Sequence, residues 1–381
     1  MMKPIKVMTI FGTRPEAVKM APLVLELQKY PQYFESIVTV TAQHREMLDQ
    51  VLKLFSIVPH YDLNIMKERQ TLAGITTRAL EGLDAVMKEA EPEIVLVHGD
   101  TTTTFVAGLA AYYNQIKVGH VEAGLRTWNK LSPFPEELNR QLTGVLADLH
   151  FAPTEKAAAN LLLENKEASS IFITGNTAID ALKTTVRDEY SHPVLSGLGN
   201  DRLVLLTAHR RENIGEPMEN MFRAVNRLIE KHEDIQVVYP VHLNPAVREI
   251  AGRILGHHPR IHLIEPLDVF DFHNIAARAH LILTDSGGVQ EEAPSLGVPV
   301  LVLRDTTERP EGIAAGTLKL AGTDEEDIFR LADELLSDTD AHGKMAQASN
   351  PYGDGQASRR ICEAIRYSFN QTAVRPEPLT L

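Results

Sequence analysis

The sequence has little cysteine and no long apolar run. Cys362 is the only cysteine among 381 residues, so a disulfide framework cannot form and a cysteine-based zinc site is disfavoured. No stretch approaches the ~20 apolar residues of a membrane span, and the residues after Met1 lack the pattern of a signal peptide. These absences favour a reducing compartment, and we expect a cytoplasmic protein.

Positive charge is also in deficit. Lys and Arg number 38 and Asp and Glu number 51, which gives a net charge of −13. A surface of this sign argues against a general nucleic-acid or membrane partner. It still permits an anionic ligand, because a few nearby cations outweigh charges that lie beyond a Debye length.

Two nucleotide-binding fingerprints are absent. No Gly-x-Gly-x-x-Gly follows an apolar run and no Gly-x-x-x-x-Gly-Lys-Ser/Thr occurs, so a firmly bound NAD has no support and no cofactor is expected. His98, Asp100, His209 and His242 are suitable metal ligands by type, but none stands in a recognisable ligand spacing. We therefore expect no required metal.

The chain instead has the composition of a soluble globular protein, with 44% hydrophobic and 23% charged residues, and its length predicts about two domains. Ten short apolar runs alternate with helical patterns: Ile5–Phe11, Ile37–Thr41, Ile94–His98, Val118–Val121, Ile171–Thr174, Leu203–Thr207, Ile235–Tyr239, Ile261–Ile264, Leu281–Thr284 and Val300–Leu303. This alternation predicts an α/β fold with two doubly wound parallel sheets. The expected linker lies in or just before Asp188–Asp201.

Ligands of such sheets bind beyond the carboxyl ends of the strands, so the residues found there are the candidates for function. Ser286, Gly287 and Gly288 join a strand to a helix, an arrangement typical of a phosphate cradle and equally of a tight turn. Glu292, one helical turn later, either accepts ribose hydroxyls or complements the helix dipole.

Cations follow other strands of the second half. His209-Arg210-Arg211 comes directly after an apolar run and suits a pyrophosphate or a carboxylate. The alternative is a solvated charge run countered by Glu212. Arg309 lies in a later loop and has the same two interpretations.

The first half supplies carboxylates. Asp100 and Glu122 come just after strands, and Glu136 stands at a predicted helix start. Carboxylates that converge in one site can serve as general acid and base. Taken singly, each is also explained as a helix cap or a dipole partner.

Nine motifs together carry a family resemblance. They are Phe11–Ala17, Gln43–Arg45, His98–Thr101, His120–Arg126, Pro135–Arg140, Thr174–Thr177, His209–Glu212, Asp285–Pro294 and Arg304–Pro310. From Lys6 to about Ile365 the chain resembles the bacterial non-hydrolysing UDP-N-acetylglucosamine 2-epimerases. The resemblance implies a GT-B-like fold with two Rossmann-like domains facing across a cleft, usually in a homodimer. The expected domains are residues 1–175 joined by a C-terminal helix at 360–381, and residues 176–359.

The resemblance also implies an activity, the reversible conversion of UDP-GlcNAc to UDP-ManNAc for envelope polysaccharides such as teichoic acid. UDP would leave C1, the C2 proton would be removed to give a 2-acetamidoglucal, and re-addition would invert C2. Asp100, Glu122, Glu136 and His209 would be catalytic. The residues implied to bind substrate are Arg14, Lys19, Asp100, Glu122, His209, Phe272 near the uracil, Ser286, Gly287, Gly288, Glu292 and Arg309. A second, activating UDP-GlcNAc would bind Gln43, Glu46, Arg69, Glu136, Arg210 and His242.

Three alternatives stay open at this point. A hydrolysing epimerase would release ManNAc and UDP from nearly the same pocket. A GT-B glycosyltransferase would transfer the sugar to an acceptor, and fold alone does not exclude it. A non-catalytic UDP-sugar sensor would keep the phosphate-binding residues and need none of the three carboxylates.

Overall fold

The chain folds into two parallel-sheet α/β units, as described for residues 3–307 and 309–380 of a computed structural model. The first unit comprises Met1–Thr184 and Tyr352–Thr380, and the second comprises Thr185–Pro351. The predicted fold class is confirmed. Among the described helices, none is both long and apolar enough to cross a membrane.

The first unit is built on a seven-stranded parallel sheet in the order β3-β2-β1-β4-β5-β6-β7. Its strands are β1 (Ile5–Phe11), β2 (Phe34–Val40), β3 (Tyr61–Asp62), β4 (Ile94–His98), β5 (Lys117–Val121), β6 (Leu149–Ala152) and β7 (Ile171–Ile173). Its helices are α1 (Arg14–Gln28), α2 (Arg45–Leu54), α3 (Leu72–Ala90), α4 (Thr102–Tyr113), α5 (Glu136–Leu146), α6 (Glu155–Leu163), α7 (Thr177–Thr185) and, near the end of the chain, α16 (Ala357–Ser368).

The second unit is built on a six-stranded parallel sheet in the order β10-β9-β8-β11-β12-β13. Its strands are β8 (Arg202–Thr207), β9 (Ile235–Pro240), β10 (Ile261–Ile264), β11 (Leu281–Thr284), β12 (Val300–Val302) and β13 (Leu318–Leu320). Its helices are α8 (Pro193–Ser196), α9 (Glu216–Lys231), α10 (Pro245–Leu255), α11 (Val269–Ala276), α12 (Gly287–Glu292), α13 (Pro310–Ala314), α14 (Glu325–Ser337) and α15 (Thr339–Ala346).

Side chains of the β8 strand alternate between two apolar cores. Val204 and Leu206 pack in one cluster with helices α9, α10 and α14. Leu203 and Leu205 pack in the other, with residues of α11 and α12. Because successive strand residues point to opposite faces, a strand buried on both sides reads as a continuous apolar run. All ten predicted runs overlap strands, and the strands β3, β6 and β13 were not predicted.

Each sheet has a point where the strand order reverses. In the first sheet β1 lies beside β4, and in the second β8 lies beside β11. The connections after these neighbouring strands diverge, which leaves room for a ligand at the carboxyl ends. In the second sheet Thr207 is opposite Thr284 in register, and their hydroxyls lie 2.5 Å apart. Pairing at this register brings Ala208 and His209 beside Asp285.

The boundaries of the units differ from those expected at residues 175 and 360. Residues 177–184 of α7 and residues 352–359 belong to the first unit. The Asp180 carboxylate of α7 accepts hydrogen bonds from the backbone N–H groups of Ala357 at 3.1 Å and Ser358 at 2.9 Å. Burial raises the pKa of Asp180 to about 6. The linker was expected in or just before Asp188–Asp201. The units divide between Thr184 and Thr185, just before that stretch, which itself belongs to the second unit and contains α8.

The last residues of the chain return to the first sheet. Helix α16 packs against α1, and the following segment lies along β7, the edge strand. The Leu379 N–H donates to the Ile173 carbonyl at 2.9 Å. The Arg375 guanidinium donates to the Ile171 carbonyl at 2.6 Å and lies 4.3 Å from the centre of the Phe172 ring. This segment therefore covers a strand edge that would otherwise present unpaired backbone groups.

Candidate functional site

The turn between β1 and α1 is organised by the buried carboxylate of Glu16. Oε2 accepts hydrogen bonds from the N–H groups of Gly12 at 3.0 Å and Thr13 at 2.8 Å. Oε1 accepts from the hydroxyls of Thr101 at 2.6 Å and Thr104 at 3.1 Å. Burial raises the pKa of Glu16 even though these donors oppose the shift. One side chain thus fastens the loop after β1 to the loop after β4.

Gly12 lies at the centre of this arrangement and has no room for a side chain. A Cβ there would overlap the Thr41 hydroxyl and lie 2.7 Å from the Thr103 hydroxyl. Arg14, the first residue of α1, is half-buried. The tight turn therefore sets where the predicted substrate-binding residue Arg14 starts its helix.

Glu122 stands at the end of β5 with a positive φ of 62°, in the left-handed region that non-glycine residues seldom adopt. Its Oε2 accepts from the Lys19 ammonium and from the Asn176 amide at 3.0 Å, and lies 3.6 Å from His98 Nε2. Strained backbone of this kind often marks a functional site. Glu122 and Lys19, both implied by the resemblance to bind substrate, are thus brought together.

Asp100 follows β4 and forms an ion pair with Arg140. Its backbone carbonyl accepts from the Asn139 amide at 2.9 Å. Burial raises the pKa of Asp100, Arg140 opposes that shift, and the negative charges of Glu122 and Glu136 raise the pKa further. Asp100 therefore lies close enough to Glu122 and Glu136 for their charges to act on it. Glu136, the first residue of α5, is half-buried.

The strands β4 and β5 each carry a buried histidine, His98 and His120. Burial lowers the pKa of His98 to about 4 and the pKa of His120 to about 3, so both are neutral near pH 7. His120 Nε2 lies 2.7 Å from the Gly99 carbonyl. Within residues 3–307 and 309–380, no three His, Cys, Asp or Glu side chains are grouped as metal ligands.

In the second unit, His209 follows β8 and lies beside the fully buried Asp285. The His209 N–H donates to Asp285 Oδ2 at 2.9 Å, and the His209 ring stacks on His242 with centroids 5.5 Å apart. Burial lowers the pKa of His209, the Asp285 charge raises it, and His242 and Arg210 lower it. The Arg210 Nε–H donates to the Asp285 carbonyl at 3.3 Å.

In the turn after β11, the backbone of Gly287 lies against the guanidinium of Arg309. Ser286 precedes α12, and a Cβ on Gly287 would lie only 2.6 Å from Arg309 Nη1. The Arg309 Nε–H donates to the buried Glu291 carboxylate at 2.7 Å. Glycine at this position therefore lets a guanidinium approach the N-terminal turn of the helix, an arrangement that suits an anion.

Glu292 lies on the same helix and contacts His273. Glu292 Oε2 is 3.4 Å from His273 Nε2, and His273 Nδ1 is 2.7 Å from the Thr185 hydroxyl. Gly288 borders this carboxylate, since a Cβ on it would be 4.0 Å from Glu292 Oε1. Phe272 is half-buried and packs against the core of the second unit.

The six residues expected at a second nucleotide-sugar site are divided between the units. Gln43, Glu46, Arg69 and Glu136 belong to the first unit, and Arg210 and His242 belong to the second. Gln43 Oε1 accepts from the Thr103 hydroxyl at 3.0 Å. Glu46 and Arg69 are exposed.

Four residues with organising roles were not assigned from the sequence: Glu16, Asn176, Asp285 and Glu291. Glu16 had a usable signal, because Thr13-x-x-Glu16 is a capping-box pattern, and the structure has that box. The other three belong to quoted motifs, but their partners are far away in the sequence.

The family follows from comparison with known proteins. A family model described as UDP-N-acetylglucosamine 2-epimerase matches residues 26–366. The chain belongs to the UDP-N-acetylglucosamine 2-epimerase family. The resemblance seen in the motifs is thereby confirmed. The Bacillus subtilis (strain 168) UDP-N-acetylglucosamine 2-epimerase is 70% identical over 379 residues, and the alignment covers 100% of both chains.

Two solved structures match nearly the whole length of this chain. The S. aureus MnaA–UDP co-structure is 55% identical, with a TM-score of 0.90 over 99% of this chain and 100% of that one. The Neisseria meningitidis UDP-GlcNAc 2-epimerase bound to UDP-GlcNAc is 50% identical, with a TM-score of 0.85 over 95% of this chain and 99% of that one.

Proposed function

We propose that this chain interconverts UDP-GlcNAc and UDP-ManNAc without hydrolysis, by eliminating and re-adding UDP, and so supplies ManNAc for envelope polysaccharides. The observation that carries the proposal is the placement of three carboxylates in the first unit, with Asp100 after β4, Glu122 after the neighbouring strand β5, and Glu136 at the start of α5. Family membership supports the substrate, since the S. aureus relative holds UDP and the N. meningitidis relative holds UDP-GlcNAc.

The reaction begins at the bond between C1 and the diphosphate. The C2 hydrogen of the sugar is not next to a carbonyl, so a carboxylate cannot remove it directly. As the C1–O bond breaks, UDP leaves with the electron pair and positive charge grows at C1, which acidifies C2. A carboxylate takes the C2 proton, and the product pair is 2-acetamidoglucal and UDP.

The second unit provides groups suited to the leaving nucleotide. Arg309 and His209 stabilise the developing charge on the diphosphate, together with the backbone of Ser286, Gly287 and Gly288. Glu292 accepts the ribose hydroxyls, and Phe272 contacts the uracil. The contact of Arg309 with Gly287 supports this assignment, because a fixed guanidinium needs no rearrangement as charge develops.

The first unit provides the acid and base. Arg14 and Lys19 bind the nucleotide sugar, while Asp100, Glu122 and Glu136 share removal of the C2 proton and its delivery to the opposite face. The raised pKa of the buried Asp100 supports its use in proton transfer, because a pKa shifted toward neutral pH suits a group that must both take up and release a proton.

One incubation tests the proposed function. UDP-GlcNAc alone in heavy water is expected to give UDP-ManNAc carrying deuterium at C2, because the departing proton exchanges before re-addition. Separation of the nucleotide sugars and mass spectrometry give the result. Free ManNAc would indicate a hydrolysing epimerase, and a strict need for an acceptor would indicate a glycosyltransferase. Binding without turnover would indicate a sensor, and full retention of protium would exclude proton abstraction.

We also propose that two copies of the chain associate through helix α5. Leu138, Leu142 and Val145 follow one another at helical spacing and are 40%, 36% and 71% exposed, which forms an apolar stripe on that helix. Such a stripe favours a protein partner, and the homodimers of the resembled family make a second copy the expected one.

The stripe can be tested by placing a charge in it. Val145→Glu is expected to shift the protein from dimer to monomer in sedimentation velocity, because a carboxylate buried in an interface would lack compensation. Val58→Glu is a matched control, because Val58 is 80% exposed and lies outside α5, and it should stay dimeric. A wild-type monomer at micromolar concentration would contradict the proposal.

A further inference from the structure

Asn176 connects the Glu122 carboxylate to the start of helix α7. It is buried and directly precedes the first residue of that helix. Its side-chain NH₂ group donates to Glu122 Oε2 at 3.0 Å, and its Oδ1 accepts from the Ala178 N–H at 2.9 Å. Its backbone N–H donates to the Tyr352 carbonyl at 2.7 Å. Both ends of this short side chain are therefore bonded, and its backbone is fixed as well.

The orientation of the Asn176 amide follows from its two neighbours. A residue that caps the start of a helix presents an oxygen to one of the first N–H groups, which directs Oδ1 to Ala178. The NH₂ group then faces Glu122, and a carboxylate accepts such a donor in a charge-assisted hydrogen bond. The reversed amide would set a donor against the Ala178 N–H and an oxygen against Glu122. Asn176 thus meets both neighbours favourably in one orientation.

The two oxygens of Glu122 have different surroundings. Oε2 accepts from Asn176 and from the Lys19 ammonium, and it lies 3.6 Å from His98 Nε2. Oε1 lies toward the loop after β4, since a Cβ on Gly99 would be 3.6 Å from it. Donors to a carboxylate oxygen stabilise its charged form and weaken it as a proton acceptor. Oε2 is therefore suited to being held, and Oε1 to taking a proton.

The two donors to Oε2 impose different degrees of order. An ammonium is a point charge on a flexible stem, and it can follow a carboxylate through many positions. The Asn176 amide cannot follow in this way, because its oxygen is engaged at the start of α7. A reacting group that is misplaced by about 1 Å can lose 10²-fold in rate. The amide is accordingly the donor that can fix where the Glu122 carboxylate points.

We infer that Asn176 is a positioning residue for the epimerisation, which anchors Oε2 of Glu122 and so holds Oε1 toward the C2 proton. The inference rests on the proposed function, which assigns Glu122 to proton transfer. A merely structural Asn176 would cap α7 and bind the Tyr352 carbonyl, and its NH₂ group would have no effect on turnover.

Asn176→Ser separates the two roles, because serine is an equally good cap but is too short to donate to Glu122. We expect kcat to fall about 10–10²-fold with little change in KM, since a hydrogen bond to a charged group is lost from a step after binding. Asp324→Ala is the control, because it removes the side chain that caps α14, and it should keep wild-type kcat. Wild-type kcat in folded Asn176→Ser would overturn the inference.

A double variant shows through which group Asn176 acts. If the amide works by orienting the base, its loss has no further effect once the base is gone. Asn176→Ser combined with Glu122→Gln should therefore turn over as fast as Glu122→Gln alone. Effects that multiply in the double variant would assign Asn176 to the stability of α7 and overturn the inference.

A spectroscopic measurement covers the case in which Asn176→Ser does not fold. In full-length protein labelled with ¹⁵N-asparagine, the side-chain signals of Asn176 are assigned by their loss in Asn176→Asp, which keeps the shape and the cap. One amide proton is expected to shift upfield in Glu122→Gln, because its acceptor loses its charge. An unchanged signal would overturn the inference. Failure of the wild type to convert UDP-GlcNAc would instead overturn the proposed function, and the amide signal would still show whether Asn176 holds Glu122.

Discussion

Glu122→Gln is expected to lower the turnover of UDP-GlcNAc by about 10²–10⁴. The Glu122 carboxylate is held by the Lys19 ammonium and the Asn176 amide, and the amide variant keeps the shape of this site. It no longer has a basic oxygen that can take the C2 proton. Because the loss falls on a step after binding, kcat is expected to change far more than KM, as measured by initial rates of UDP-ManNAc formation.

Asp100→Asn and Glu136→Gln are expected to lose turnover to a comparable extent, since the three carboxylates share the proton transfers. Glu164→Gln is a suitable control in the same unit, because Glu164 pairs with Arg126 at 2.6 Å and is not among the three. Near-normal turnover in all three variants would refute the assignment. A loss in Glu164→Gln as large as theirs would assign the effect to stability instead.

Arg309→Gln is expected to have two separate effects. The first is a fall in kcat of about 10²–10³, because one preorganised donor to the developing diphosphate charge is removed. The second is a loss of about 1–3 kcal/mol in the free energy of unfolding, because the buried Glu291 carboxylate loses the guanidinium that donates to it. Initial rates and denaturant unfolding measure the two effects independently.

A double variant distinguishes these effects. Adding Glu291→Gln to Arg309→Gln removes the buried charge, so most of the lost stability should return while kcat stays low. Arg309→Lys tests geometry, because an ammonium keeps the charge but not the planar fork of donors. Recovery of kcat in the double variant would show that Arg309 acts only through the stability of α12.

Much of the fold was predictable because apolar strand runs and the spacing of apolar residues in helices can be recognised in short stretches of sequence. The β8 and β11 strands are buried on both faces, so their sequences are continuous apolar runs. β13 reads Leu-Lys-Leu and is partly exposed, and β3 has only two residues. Short edge strands carry too little of the pattern to be recognised, and they are completed by pairing with neighbours that the sequence does not reveal.

The site was predictable to the extent that its residues follow strands. Asp100, Glu122 and Ser286 could be singled out because strand ends are where ligands bind. The partners of these residues could not be singled out in the same way. Asn176 reaches Glu122 across 54 positions of sequence, and Asp285 reaches His209 across 76. Such pairings depend on strand order, which no local pattern encodes.

The return of the chain from the second unit to the first shows the same limit. A weakly patterned stretch with Pro193, Gly197 and Gly199 indicated a linker in or just before it, and the first division between the units falls just before it, at residues 184 and 185. The carboxylate of Asp180, however, holds the start of α16 through two backbone hydrogen bonds. These bonds join residues nearly 180 positions apart within the first unit, and composition does not reveal such a pairing.

The return of the chain end to β7 has a consequence for biosynthesis. A ribosome makes residues 185–351 before it makes α16 and the segment that covers the edge of β7. During translation residues 1–184 therefore expose the edge of β7 until the end of the chain has been made, whereas residues 185–351 can already form the core of the second unit. We therefore expect a nascent chain stalled before residue 352 to aggregate through the uncovered edge of β7.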